Sequence, residues 1–432
     1  MEQAVQMVTV TAMNQALDAA KAAAQSSADT VWMLVATAMV MIMTPTLAFF
    51  YGGLVRKKNI LSILMQSFVI LAVISIQWVL FGYSLAFGPD KGGIIGGLEW
   101  LGLNGVGLTP DKVYATTIPH QLFMAFQMMF AVITPALIIG AFAERIKFSG
   151  FVIFILLWST LIYDPLAHMV WSSNGWLFKM GALDFAGGTV IHINAGISAL
   201  VMAIMLGKRS GIETNRAPHN LPLAVLGAGF LWFGWFGFNA GSALGVGPLT
   251  VSAFINTNTA AAAATVTWMI LDKIFNKVPT VLGVITGLVA GLVAITPAAG
   301  YVTPMASIVI GALGSIFGFI FVTKVKGFFG YDDALDVFGV HGIAGIVGAL
   351  ATGIFATKAI NPAGADGWLY GNFNQFLVQG LTVLVSIGIS ALGTFLLFLL
   401  VDKTIGLKVD ARDEYIGLDL TQHHESGYTL LD

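Results

Sequence analysis

The sequence predicts an all-α polytopic membrane protein with eleven transmembrane helices, N-out and C-in, built as an inverted 5+5 helix repeat plus one C-terminal helix. Three observations carry this: a scarcity of charge, the lengths and number of the apolar stretches, and two histidines that recur in matching surroundings. Of 432 residues, 57% are hydrophobic and 10% charged, where an ordinary soluble domain has about 25% charged. Mean hydropathy is +0.86. A chain this apolar cannot cover itself with polar surface in water, so lipid must solvate much of it. Its 50 glycines suit the close helix contacts of membrane bundles.

A helix needs about 20 mostly apolar residues to cross the hydrocarbon. Such stretches lie near 31–54, 60–87, 118–143, 149–170, 186–206, 221–241, 251–271, 279–298, 305–323, 334–356 and 373–401. Helices 1–5 thus occupy about 31–206, helices 6–10 about 221–356, and helix 11 about 373–401, within a membrane domain over 31–402. With the N-terminus outside, 15 of the 20 Lys and Arg residues fall on the inner side; Lys21, Lys91, Lys112, Lys179 and Lys358 stay outside. That asymmetry orients the chain N-out, C-in. Glu2, Asp18, Lys21 and Asp29 make the first 30 residues a poor signal peptide, so 1–30 reads as a short extracytoplasmic tail. Residues 403–432 read as a cytoplasmic tail that regulates or binds a partner. A net charge of −2 argues against nucleic acid. Zero cysteines exclude disulfides, Fe–S clusters and cysteine nucleophiles and leave the redox compartment open.

Of seven histidines, His120 and His168 sit near outer helix ends and His219, His423 and His424 in cytoplasmic segments. His192 and His341 lie well inside spans, where ionisable groups are costly and mark function by default. Asp184 precedes His192 by eight residues, and Asp333 precedes His341 by eight. The segments His192-Ile-Asn-Ala195-Gly196 and His341-Gly-Ile-Ala344-Gly345 share one pattern. These are the fifth and tenth spans, so units of five lie in opposite orientations, as in an inverted-topology repeat. Eight residues of helix rise about 12 Å. In a core of about 30 Å that leaves about 6 Å of height between the two rings. They can touch near the midplane. A membrane histidine also fits a plain helix–helix hydrogen bond, and a pair fits a bis-histidine haem, though nothing else here suggests a cofactor. Asp184 and Asp333 open their helices, as does Asp336 in the same first turn, which fits caps or charge anchors better than ligands.

Aromatic residues cluster at helix ends. Trp232-Phe-Gly-Trp235-Phe-Gly-Phe238-Asn239-Ala-Gly-Ser242 closes span six, Phe126 and Phe130 lie on span three, and Trp171 ends span four. An aromatic face holds a cation within about 6 Å, and a serine oxygen adds an acceptor for one N–H. Each aromatic singly also fits core packing or an interfacial belt.

Five blocks carry a family resemblance. They are Ala48-Phe-Phe-Tyr-Gly-Gly-Leu-Val-Arg56, Thr134-Pro-Ala-Leu-Ile-Ile-Gly-Ala-Phe-Ala-Glu144-Arg145, Asp184-Phe-Ala-Gly-Gly-Thr-Val-Ile-His192, Trp235-Phe-Gly-Phe-Asn-Ala-Gly-Ser242 and Asp336-Val-Phe-Gly-Val-His341-Gly. From about residue 31 to the C-terminus the chain resembles the Amt/Rh ammonium transporter family, bacterial Amt branch. The resemblance implies a homotrimer in the inner membrane of a bacterium, one pore per subunit, carrying ammonium/ammonia with no catalytic residue, metal or cofactor. It implies Phe126, Trp171 and Ser242 as an outer recruitment site and Phe130 and Phe238 as a gate. It implies His192 and His341 as the twin-His pair of a hydrophobic pore, with Trp235 on the wall and Asp184 in support. The tail around Gly406-Leu-Lys-Val-Asp410 and Gly417-Leu-Asp-Leu resembles a segment that contacts a PII-type signalling protein.

Selectivity sets the expected mechanism. Ammonium and potassium match in size and charge, but only ammonium can shed a proton. Moving a bare ion of this size into a medium of ε ≈ 4 has an idealised cost of order 20 kcal/mol. Deprotonation at pH 7, with lysine as the stand-in, costs roughly 5 kcal/mol. Recruitment, deprotonation and passage as ammonia is therefore the expected route. Three other readings use the same residues: an ammonium sensor signalling through the tail, an Rh-like CO₂/NH₃ gas channel, and a haem redox protein. The aromatic and serine entrance favours a cation over a neutral gas.

Overall fold

The computed structural model of the chain describes residues 2–210 and 217–428. Arg216, counted in the charge asymmetry, and residues 429–432 of the tail lie outside the described residues.

Helix α1 runs without interruption over Glu2–Leu54. Hydropathy drops towards its N-terminus, but no glycine precedes residue 52 and no proline precedes Pro45, so nothing breaks the helix at residue 30. The segment read as a short tail is thus a helical extension of the first span, exposed over 10–25. It is tied to the rest of the protein where Gln25 Nε2 donates to the Val246 carbonyl at 3.1 Å, Ser26 Oγ donates to the Thr117 carbonyl at 2.7 Å and Asp29 Oδ1 accepts from Val246 N at 2.7 Å.

The remaining long helices are α2 (Lys57–Phe87), α3 (His120–Phe142), α4, made of Phe148–Trp158, Ser159–Tyr163 and Asp164–Trp171, α5 (Gly188–Leu206), α6 (Leu221–Gly241), α7 (Pro248–Phe275), α8 (Val281–Ile295), α9 (Pro304–Phe329), α10 (Phe338–Phe355) and α11 (Phe373–Thr404). Among the described residues, nine helices are long and apolar enough to cross a membrane. The other two are α7, which carries Asn256, Thr257, Asn258 and Thr259 in succession, and α8, which has 15 residues.

Between α2 and α3 the chain forms two antiparallel hairpins, which the sequence reading did not anticipate. They pair β1 (Asp90–Lys91) with β2 (Ile95–Gly96), and β3 (Pro110–Asp111) with β4 (Ala115–Pro119). After α11, short helices α12 (Ala411–Ile416) and α13 (Leu418–His423) fold back on the loops. There Asp419 Oδ1 accepts from Ser62 N of α2 at 2.8 Å, and Ser210 Oγ donates to Glu414 Oε2 at 3.0 Å.

Helices α3 and α5 are enclosed by protein almost throughout, whereas α6 and α11 leave apolar faces open, with Phe233 54% and Leu392 62% exposed. Both histidine helices open on a π-turn, Gly188–Ile193 in α5 and Phe338–Ile343 in α10. Such widened turns gather at functional sites. The regular helix expected from Asp184 to His192 is therefore not formed: residues 182–187 are non-helical, Gly188–Ile193 is the π-turn, and the regular α-helix begins at Asn194.

Candidate functional site

Each half of the chain builds its histidine in the same way. In α5 the Asp184 carboxylate accepts from Gly187 N at 3.0 Å, Thr189 N at 3.0 Å and Val190 N at 3.1 Å, meeting N–H groups that a helix start leaves unpaired. In α10, Asp333 Oδ2 accepts from Phe338 N at 2.7 Å. The glycine four residues past each histidine lets the other helix close in. A Cβ on Gly196 would lie 2.2 Å from Gly342 N, and one on Gly345 would lie 3.1 Å from the His192 Cβ. No bulkier pattern could hold the helices at this distance.

The consequence is contact between the rings. His192 Nδ1 and His341 Nδ1 lie 3.2 Å apart, with ring centroids at 5.3 Å. Both rings are buried, and His192 Nε2 has no hydrogen-bond partner among the described residues. Imidazole rings touching in this way leave no room for a macrocycle between them, so a bis-histidine haem does not fit.

From that pair a continuous line of aromatic contacts runs to Trp171. His192 stacks on Trp235 at 5.5 Å and 19°, and lies 6.1 Å from Phe238. Phe238 meets Phe130 at 4.4 Å, with the two rings inclined at 32°. Beyond them Phe126 packs on Phe130 at 4.8 Å, and Trp171 stands edge-on to Phe130 at 5.9 Å. Ser242, one turn past Phe238, donates its hydroxyl to the Phe238 carbonyl at 2.8 Å. The structure thus gathers all nine residues singled out from the sequence. Asp184 serves differently from a charged ligand: its main-chain carbonyl accepts the Trp171 indole N–H at 2.9 Å, while its carboxylate faces the α5 turn.

On the histidine side of Phe238 the enclosed space is small. A cavity of about 10 Å³ is lined by Met43, Leu47, Ile133, Leu137, Leu231 and Val289 together with His192, Trp235, Phe238 and His341. That is at the lower limit for one water, and among the side chains that line it none carries a carboxylate. His341 also borders a cavity of about 550 Å³ with a charged rim of Arg56, Glu144, Lys208, Arg209, Asp272, Lys326, Asp332 and Asp336. Within that rim Arg56 and Arg209 bind Glu144 at 2.9 and 3.2 Å, and Arg209 and Arg145 bind Asp332 at 2.9 and 2.7 Å. Burial raises the Glu144 carboxyl, but Arg209 and Arg56 together hold it below the ordinary glutamate value.

Two groups escaped the sequence reading. Thr296 Oγ1 accepts the Trp235 indole N–H at 2.9 Å, and the Arg145–Asp332 pair joins positions far apart in the chain. A threonine between Ile295 and Pro297 carries no signal of such a role. Among the described residues no group of three or more His, Asp or Glu could hold a metal.

A sequence profile of the Ammonium Transporter Family matches residues 31–428. The chain is 52% identical over 400 residues to an ammonium transporter of Bacillus subtilis, covering 93% of this chain and 98% of that one. It is 43% identical over 408 residues to the ammonium transporter Amt1 of Archaeoglobus fulgidus, covering 94% and 100%. The crystal structure of Saccharomyces cerevisiae Mep2 superposes with a TM-score of 0.84 at 36% identity, over 89% of this chain and 88% of that one. A Sensor Amt Protein superposes with a TM-score of 0.85 at 32% identity, over 92% and 99%.

Proposed function

The chain belongs to the ammonium transporter family, and on that premise we propose that it takes ammonium at Phe126, Trp171 and Ser242, strips its proton, and passes ammonia between His192 and His341. That it is a multi-pass integral membrane transporter of ammonium, and no enzyme, follows from the family. The route is our reading. One observation supports it above the rest: two imidazoles meet nitrogen to nitrogen beside a narrow cavity otherwise lined by aliphatic and aromatic side chains.

The Trp171 end is the recruitment side in this reading, with π faces and the Ser242 oxygen for a small cation. The Phe130–Phe238 pair separates that site from the lumen. Past it no carboxylate or carbonyl faces the narrow cavity, so an ion would enter at something near the full desolvation cost. Ammonia would not, and it can accept or donate one hydrogen bond at an imidazole nitrogen. Potassium has no neutral form, so the same lumen rejects it. The abstracted proton has a carrier in the pair itself, because a proton gained at one outward-facing nitrogen can be matched by one lost at the other.

The test is His192→Ala and His341→Ala in liposomes, reading ammonium current or uptake with a potassium challenge. We expect both variants to lose rate or to admit potassium. Unchanged rate and selectivity in both would remove the pair from the mechanism.

A further inference from the structure

Between α4 and α5 the chain crosses residues 182–187 without helix or strand. Buried non-helical backbone survives only where protein satisfies its polar groups. Phe185 N finds the Pro297 carbonyl at 3.1 Å, and the Asp184 carbonyl takes the Trp171 indole. Leu183 is served on both sides by one side chain of α11. Its N–H donates to Gln379 Oε1 at 2.8 Å, and its carbonyl accepts from Gln379 Nε2 at 2.8 Å. The same Nε2 donates at 3.1 Å to the Ala349 carbonyl on α10, the helix that carries His341.

Gln379 is 1% exposed, and this pattern fixes its amide. Turned over, its oxygen would face two carbonyls and its NH₂ would face an N–H, three losses at once. One amide therefore fastens together the two halves of the conduction apparatus. On one side lies the segment whose next residue holds Trp171 and caps the turn of His192. On the other lies the helix of His341, eight residues past that ring. Lower on α11, Ser386 Oγ donates to the Thr189 carbonyl of the His192 turn at 3.2 Å.

We infer that Gln379, which belongs to neither half of the repeat, is a positioning residue for ammonium conduction, keeping the Trp171–Asp184 contact in register with the His341 helix. This rests on the recruitment role proposed for Trp171, and the test separates the two.

The full chain in liposomes is assayed by ammonium-evoked current, reading half-saturation and maximal current for Gln379→Met, Gln379→Glu, Trp171→Ala and Thr382→Val. Thr382 lies on the same helix and donates only to Val378 O of its own turn. A loss of folded protein lowers maximal current and leaves half-saturation alone, so half-saturation is the readout. We expect it to rise about tenfold in Gln379→Met and in Trp171→Ala, the factor that goes with about 1.4 kcal/mol. Gln379→Glu, which keeps the acceptor for Leu183 N, should fall between, and Thr382→Val should match the parent. A shift in Trp171→Ala with none in Gln379→Met overturns the inference and leaves the recruitment reading standing. No shift in either sinks both. An equal shift in Thr382→Val also overturns it, as an effect of the whole helix. Should Gln379→Met fail to assemble, Gln379→Glu decides by the same readout, with a parental value counting against the inference.

Discussion

His192 and His341 face each other through like atoms, Nδ1 to Nδ1 at 3.2 Å. Two N–H groups cannot point at one another at that distance, so one nitrogen carries the hydrogen and its counterpart accepts it. The tautomers are linked. Whichever ring donates at Nδ1 presents a bare Nε2, and the other presents an Nε2–H. A change at one end of the pair is felt at the other.

That linkage predicts non-additivity. Removing either ring breaks the shared hydrogen bond, so the second removal has less left to break. We expect His192→Ala and His341→Ala each to cut ammonium current about tenfold or more, and the double variant to be no worse than about twofold below the poorer single. Current in liposomes checks this. Multiplying losses would mean that the rings act independently.

The helix crossing beneath the pair predicts a ranking. A methyl at Gly196 would sit 2.2 Å from Gly342 N and 2.3 Å from its Cα, against backbone that cannot yield; at Gly345 the nearest atom is 3.1 Å away. Overpacking costs typically about 1–3 kcal/mol, occasionally more. Gly196→Ala should lower the melting temperature in detergent and the current well beyond Gly345→Ala. Equal tolerance of the two would show that the helices are not clamped there.

What the sequence made legible has a physical pattern. His192 and His341 stood out because an ionisable group is rare in an apolar stretch, and equal spacing from an aspartate exposed their relation. Phe126, Phe130, Phe238 and Trp171 were legible through the resemblance, since aromatics in a membrane helix have many other uses. The π-turns were not, because Gly188–Ile193 and Phe338–Ile343 contain nothing that distinguishes a wide turn from a regular one. Gln379 and Thr296 were invisible for a similar reason: each answers a backbone or indole group whose need arises only once the fold exists. The length of α1 was missed because hydropathy marks the lipid, whereas the helix continues on the propensity of Ala, Gln, Met and Leu.

At the charged rim, acid supplies a test. Burial raises the Asp332 carboxyl, but the hydrogen bond and charge of Arg209, with Arg145 behind, bring it down to about 2 from an ordinary 3.8. A depressed folded-state value means stability that is complete above about pH 4 and lost as pH falls towards 2. Thermal melts of the parent should drop across that window. Asp332→Asn, which strands Arg145 in a buried site, should be less stable at neutral pH by about 3–5 kcal/mol and should lose that part of the acid dependence. An unaltered acid profile in Asp332→Asn would exclude this carboxylate as its source.

Trp235 lies 2% exposed and stacks on His192 at 5.5 Å. Its indole N–H donates to Thr296 Oγ1, which passes its own hydrogen to the Leu292 carbonyl at 2.7 Å. The hydroxyl thus fixes the plane on which the imidazole stacks. Thr296→Val keeps the shape and removes the acceptor, leaving a buried donor unpaired at a cost of about 1–3 kcal/mol. Either the indole stays and the protein bears that cost, or it turns and the stack on His192 loosens. The first outcome lowers the melting temperature alone; the second also lowers ammonium current, which we expect to fall about fivefold. Thr296→Ser, which restores the acceptor, should recover both. Parental stability and current in Thr296→Val would mean that the Trp235 ring needs no anchor, and that aliphatic packing alone holds it against His192.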